Sequence, residues 1–201
     1  MIKNIIFDFG DIFINLDKQA PIKAFTDLGL TLRPEIESIN NKYEVGAISS
    51  KEFVASYKEW LPNCSEQQII DAWNSILLDF PESRLNFLKD LARNTNYKLF
   101  LLSNTNDLHI DWIKSHVSFY EDFKNQFDVF YLSQEIGYRK PNNDIYEFVL
   151  NENNIAAHET LFIDDTTPNT ITANQLGIHT WNLQPGKEDI IDLFKIKAEL
   201  F

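Results

Sequence analysis

The sequence predicts an α/β fold, a parallel sheet with helices on both faces, interrupted near its start by a helical insertion. Three observations predict it. Short apolar runs that stop at polar residues recur along the chain, as strands buried on both faces do. Helical patterns separate consecutive runs, as crossovers between parallel strands require. From about residue 15 to about residue 80 strand signals vanish while helical periodicity continues. A length of 201 residues suits one domain with such an insertion. With 44% hydrophobic residues and sixteen phenylalanines, a sizeable core is available.

The first strand is read over residues 4–9, rich in isoleucine and phenylalanine and closed by Gly10. A helix start is expected at Asn15-Leu16-Asp17, with Ala20, Ile22, Phe25 and Leu28 at helical spacing up to Gly29. Residues 33–43 form a second helix with Pro34 in its first turn. A third begins at Ser49-Ser50-Lys51-Glu52, carries Phe53, Tyr57 and Trp60 on one face and stops at Pro62. Ser65 caps a fourth over residues 66–78, with Ile69, Ile70, Trp73, Ile76 and Leu77 as its apolar stripe. Trp60 and Trp73 are assigned to the core of this block. Then follow a helix over 83–94, a strand over 98–102 and a helix from Asp107. A short strand over 128–132, the loop 137–141 and a helix over 143–151 come next. The chain closes with a strand over 160–163, a helix over 167–176, a strand over 178–183 and a helix over 189–200.

A formal net charge of -12 argues against nucleic acid or an anionic membrane as the main partner. It leaves room for a phosphorylated substrate whose charge a bound cation balances. The single Cys64 excludes an internal disulfide and a cysteine-based zinc site, and fits a reducing cytoplasm. The four histidines, His109, His116, His158 and His179, show no ligand spacing and read as surface or helix-end residues. No apolar run is long enough to span a membrane, and the first is too short for a signal peptide and lacks a cleavage site. A cytoplasmic location is expected.

In an open parallel sheet, ligands bind beyond the carboxyl ends of the strands, and right-handed crossovers bring those ends to one edge. Asp8, then Ser103 and Asn104, then Asp164 and Asp165 close three of the strands, and a loop carries Lys140. Each has an ordinary explanation alone: a turn cap, a helix cap, an N-cap pair, a solvated loop charge. Together, three carboxylates on one edge call for positive charge. Magnesium takes oxygen ligands and phosphate, and a lysine and a hydroxyl can hold phosphate oxygens. An aspartate beside the metal is then a candidate nucleophile for phosphoryl transfer.

These residues, in this order and spacing, resemble the four motifs of the haloacid dehalogenase-like hydrolase superfamily, in the group with a small helical cap inserted after the first motif. The first motif is Asp8-Phe9-Gly10-Asp11 and the second is Ser103, within residues 101–106. The third is Lys140, within 137–141, and the fourth Asp164-Asp165, within 161–166. The match covers nearly the whole chain. Residues 7–10, 44–49, 102–106, 131–137 and 174–178 are worded most like a bacterial branch that includes alpha-glucose-1-phosphate phosphatases.

The resemblance implies a three-layer Rossmann-like core over 1–14 and 82–201 and a helical cap over 15–81. It implies a magnesium-dependent phosphatase of small phosphorylated metabolites, sugar phosphates above all, acting through an aspartyl-phosphate. Asp8 would be the nucleophile and a metal ligand. The backbone carbonyl of Gly10 and the carboxylate of Asp165 would bind the metal directly, and Asp164 would bind through water or hold Lys140. Ser103, the backbone of Asn104, and Lys140 would hold the phosphoryl oxygens. Specificity would come from the cap, through Tyr43-Glu44-Val45-Gly46, with Glu44 a candidate substrate-binding residue unless Tyr43 and Glu44 merely end a helix, and with Arg139 either reaching the site or packing beside Lys140. A monomer or weak homodimer is expected.

One position departs from the pattern. Phosphatases of the superfamily carry a second aspartate two residues after the nucleophile, which protonates the leaving group; here that residue is Gly10. Three readings follow: another proton source or an easily lost leaving group such as an anomeric phosphate, service by Asp11, or a binding protein that turns over poorly. Dehalogenases also lack the second aspartate but need no metal, which the Asp164-Asp165 pair disfavours.

Overall fold

The computed structural model describes residues 1–93 and 96–201. Five parallel strands, β1 (Asn4–Phe7), β2 (Lys98–Ser103), β3 (Val129–Leu132), β4 (Thr160–Asp164) and β5 (His179–Asn182), form one sheet in the order β3-β2-β1-β4-β5. Phe7 of the central β1 stands level with Leu101 on one side and Ile163 on the other. The next residues along these strands therefore emerge together at one edge.

Four helices, α1 (Ala20–Asp27), α2 (Glu35–Glu44), α3 (Ser50–Trp60) and α4 (Glu66–Asn74), lie between β1 and β2 and share a hydrophobic cluster of their own around Phe25, Tyr43, Phe53, Tyr57 and Ile69. Capping boxes at Ser49 with Glu52 and at Ser65 with Gln68 start α3 and α4. The remaining helices are α5 (Glu82–Ala92), α6 (Asp107–His116), α7 (Tyr120–Lys124), α8 (Ser133–Ile136), α9 (Asn143–Glu152), α10 (Thr167–Gln175) and α11 (Leu193–Ile196).

Strand alternation divides the core in two. Ile5, Phe7, Leu99, Leu101, Leu161 and Ile163 pack with residues of α5, α6 and α7 on one face. Ile6, Phe100, Leu102 and Phe162 pack with α9 and α10 on the other. Phenylalanines fix the loop after β1. Phe9 stacks on Phe123 at 5.0 Å between ring centroids, and Phe13 meets Phe7 at 5.5 Å and Phe123 at 5.0 Å.

Beyond shifts of one or two residues at element ends, three departures from expectation stand out. The fourth helix stops at Asn74, not residue 78, because the backbone beyond it pairs with the chain entering the helical block. Asp17 N–H donates to the Ile76 carbonyl (2.8 Å), Leu78 N–H to Asn15 (3.0 Å) and Asn15 N–H to Asp79 (2.9 Å). Residues 15–17 are thus a linker strand, and Asp17 Oδ1 instead accepts the N–H groups of Gln19 and Ala20 ahead of α1. The closing helix is broken into a 3-10 turn (Ile190–Asp192), α11 and a second 3-10 turn (Ala198–Leu200). Its first residue, Asp189, is held by Arg84, while Phe194 and Phe201 both close on Tyr97. The helix end expected at Asn94 lies outside the described residues. Among the described residues no helix is long and apolar enough to cross a membrane.

Candidate active site

Lys140 is the hub of the sheet edge. Its Nζ donates to Asp8 Oδ1 (2.7 Å), to Asp164 Oδ2 (2.7 Å) and to the carbonyl of Leu102 (2.8 Å), so three strands meet on one ammonium group. Only 1% of Lys140 is exposed, 0% of Asp164 and 9% of Asp8. The lysine ammonium also sits 5.3 Å from the centroid of the Phe162 ring. Its backbone is clamped by Asn104, whose Nδ2 donates to the Lys140 carbonyl (2.8 Å) while its Oδ1 accepts the Lys140 N–H (2.9 Å). The Asn104 side chain therefore positions the lysine, a role its sequence position did not reveal.

Asp164 is saturated. Besides Lys140 it accepts the Thr166 N–H (2.7 Å) and both oxygens receive Asn169 Nδ2, at 3.1 and 2.9 Å. Asn169 is a site residue the sequence reading missed. An amide five residues past the strand-end carboxylate, in the first turn of α10, was the available signal.

Asp165 meets Lys18, also missed. Lys18 Nζ lies 2.5 Å from Asp165 Oδ2 and 2.9 Å from Asp11 Oδ2. Nothing in the local sequence signals this contact, which the linker fold creates. Asp11 adopts φ 56°, uncommon for a residue with a side chain, and its Oδ1 accepts the Leu16 N–H at 3.0 Å. Both Asp11 oxygens are thereby engaged, by the Leu16 N–H and by Lys18, and Asp11 stands outside the cluster of Asp8, Asp164 and Asp165. A Cβ on Gly10 would lie 2.7 Å from Leu16 Cδ1, so Leu16 fills the space beside that position.

Charge decides what the edge can hold. Four carboxylates, of Asp8, Asp11, Asp164 and Asp165, share two ammonium groups, leaving two negative charges uncompensated. Burial pushes the Asp8 carboxyl up to about 7; Lys140 pulls it down, and Asp164 and Asp165 add to the rise. Burial also raises Asp165 against the pull of Lys18. Burial opposes the Lys140 charge, but Asp164 and Asp8 outweigh it and raise its pKa. Carboxylate oxygens of Asp8, Asp164 and Asp165 lie within 4.8 Å of one another. An all-oxygen set with a deficit of two positive charges fits a hard divalent cation. Since Asp164 is saturated, Asp8 and Asp165 are the carboxylates able to ligate directly.

A cavity of about 170 Å³ opens beside the edge, lined by Gly10, Ser103 and Asn104 from the core, by Leu16 of the linker and by Pro21, Glu44 and Trp73 from the helical block. This is well below the roughly 300–1,000 Å³ of sites for drug-sized ligands. Glu44 Oε2 accepts from Arg139 Nε (3.0 Å) and lies 2.8 Å from Nη2 in an ion pair, which answers where Arg139 goes. Trp73 belongs to the helical block's cluster as expected but also lines the cavity, its indole N–H donating to Asn106 Oδ1 at 3.2 Å. His109 is not a simple surface residue. It stacks on Trp73, and burial lowers its pKa to about 4.

A model of the haloacid dehalogenase-like hydrolase family matches residues 5–183. The D-ribitol-5-phosphate phosphatase of Bacteroides thetaiotaomicron is 29% identical over 203 residues, spanning 94% of this chain and 95% of that protein. A HAD family enzyme from Bacteroides thetaiotaomicron, crystallised with magnesium and inorganic phosphate, is 36% identical with a TM-score of 0.84, over 96% of this chain and 100% of that one. A predicted HAD-like family hydrolase from Porphyromonas gingivalis is 30% identical with a TM-score of 0.82, over 98% of each chain. The sheet-edge motifs and the match across most of the chain agree: this protein belongs to the haloacid dehalogenase-like hydrolase family.

Proposed function

We propose that the protein is a magnesium-dependent phosphatase of small phosphorylated metabolites, sugar or polyol phosphates above all, working through an aspartyl-phosphate on Asp8. The observation that carries this reading is the Lys140 ammonium joining Asp8 to Asp164, with their chain neighbours Gly10, Ser103 and Asn104 lining a small cavity. A D-ribitol-5-phosphate phosphatase among the relatives and a magnesium and phosphate complex among the similar structures support it.

Asp8 attacks phosphorus, the bond to the leaving-group oxygen breaks, and water then hydrolyses the aspartyl-phosphate. Lys140 orients the Asp8 carboxylate and, with Ser103 and the backbone of Asn104, faces the phosphoryl oxygens. Asp8, Asp165 and the Gly10 carbonyl would hold magnesium, while Asp164 holds Lys140. When bound, the ion supplies the missing positive charge and stabilises charge on the phosphoryl oxygens. We also propose the division into a core over 1–14 and 82–201 and a cap over 15–81. The separate hydrophobic cluster and the paired linkers support it.

The test is phosphate release from an aryl phosphate with magnesium, abolished by chelator. Activity indifferent to chelation sinks the reading. Magnesium and protons compete for Asp8, so the apparent magnesium affinity should weaken as pH falls below about 7. Titration calorimetry at pH 8 and pH 6 measures this, and equal affinities contradict it.

Gly10 favours a second reading, a phosphometabolite-binding protein with little turnover. It predicts ligand and metal binding without hydrolysis across a panel of esters. Gly10→Asp combined with Leu16→Ala, which clears the 2.7 Å contact, should speed hydrolysis of alkyl esters about tenfold while changing aryl esters little. Unchanged alkyl rates would mean that the proton is supplied from elsewhere.

A further inference from the structure

We propose that Glu44 makes the cavity select phosphate monoesters with uncharged, hydroxyl-bearing leaving groups and reject those with anionic ones. This rests on the phosphatase reading above and names its substrate class.

Among the described residues lining the cavity, Glu44 is the one formally charged side chain. His109 is the other titratable lining group, and its hydrogen bonds suit a neutral ring: Nε2–H donates to the Trp73 carbonyl (3.3 Å) and Nδ1 accepts from Asn106 Nδ2 (3.1 Å). Arg139, the partner of Glu44, does not line the cavity. It lines a separate cleft on the outer side, with Lys42 and Tyr138. The ion pair therefore spans the wall, carboxylate inward and guanidinium outward.

The Nε hydrogen bond and the Nη2 ion-pair contact from Arg139 both fall on Glu44 Oε2, and none of the described hydrogen bonds reaches Oε1. An anchored carboxylate with one oxygen open is an acceptor for hydroxyl groups and a repellent for a second carboxylate or phosphate. The walls beside it, Trp73, Leu16 and Ile76, offer no compensating cation.

The loop cannot easily carry Glu44 away. Gly46, at φ +66°, lies so close to the core that an added Cβ would come 2.2 Å from the Gln134 carbonyl oxygen. Tyr43 accepts the Leu108 N–H at 3.1 Å. The carboxylate is thus held at the cavity by contacts on both sides of it in sequence.

Glycerol 3-phosphate and 3-phosphoglycerate differ only in a hydroxymethyl group against a carboxylate at the far carbon. The wild type with magnesium should favour the former in kcat/KM by at least about tenfold. Glu44→Gln should bring the ratio near unity. Arg139→Met breaks the same ion pair but leaves the carboxylate, so the ratio should persist or grow even if both rates fall. A role limited to latching the cap predicts that both variants shift the ratio alike, and that outcome overturns the proposal. So does an unchanged ratio in Glu44→Gln, with folding of each variant checked by thermal unfolding. If the wild type hydrolyses neither ester nor an aryl phosphate, the phosphatase reading falls by itself. Calorimetric binding of the same two esters then decides the selectivity, and equal or tighter binding of 3-phosphoglycerate overturns it.

Discussion

Asp8→Asn is expected to reduce turnover of every phosphate ester by on the order of a thousandfold or more, and to raise the melting temperature when no divalent cation is present. The two effects share a cause. Burial holds the Asp8 carboxyl up to about 7 in the folded protein against 3.8 ordinarily, so the folded state binds its proton more tightly than the unfolded chain. Stability contributed by this residue therefore falls as pH rises between about 4 and 7, and above that window the folded state carries the full penalty. Asparagine removes the charge. Because Lys140 loses one partner in the exchange, the net gain at pH 8 should be about 1–2 kcal/mol, worth several degrees in melting temperature for a chain this long. At pH 4 the advantage should vanish. Saturating magnesium should reverse the ranking, since it stabilises the wild type by mass action and finds one ligand fewer in the variant. Differential scanning calorimetry with chelator and with magnesium, at pH 4 and pH 8, reads all four cases. A variant less stable than the wild type at pH 8 in chelator would show that Asp8 is not a buried charge under strain. Residual turnover near the wild-type rate would remove it as nucleophile.

What could be read from sequence and what could not divide along a physical line. Asp8, Ser103 and Asp164 stand where buried apolar runs stop, and a parallel sheet brings such stops to one edge, so local pattern and topology suffice. Lys140 was visible as the cation those carboxylates need. The residues that hold this set in place were not visible, because their partners are remote in sequence. Lys18 meets Asp165 through 147 residues of chain, and Arg84 reaches Asn15 and Asp189 through 69 and 105. Trp73 and His109 meet only once the helical block is seated. The fourth helix was read too long for a related reason: residues 76–78 continue an apolar stripe, yet their backbone groups are taken by the incoming linker. Periodicity reports which side chains are apolar. It does not report which backbone groups already have partners.

Lys140→Met should cost roughly 3–5 kcal/mol, a large loss for one substitution. The side chain is replaced by one of similar length, so little of the effect comes from packing. It comes from Asp164, which is 0% exposed and would keep only the Asn169 amide and the Thr166 N–H against its charge. Asp8 would lose its only cationic hydrogen-bond donor among the described residues. Relative to a total stability of about 5–15 kcal/mol, such a loss should lower the melting temperature by roughly 10 °C or more. The sign of its pH dependence is fixed. In the wild type, opposing carboxylates hold the Lys140 pKa above 10.5, so its contribution is present throughout the range below that value. In the variant, the stranded Asp8 carboxyl, raised by burial and freed from the pull of Lys140, should take up its proton as pH falls, so the deficit should shrink on acidification. Turnover should be lost at every pH. The double variant Lys140→Met with Asp164→Asn separates charge from geometry. If the unpaired buried carboxylate causes the loss, the second substitution should recover at least about 2 kcal/mol while restoring no activity. A double variant as unstable as the sum of its parts would mean that Lys140 stabilises the fold by filling space and bonding the Leu102 carbonyl, and that the carboxylates at this edge do not depend on it.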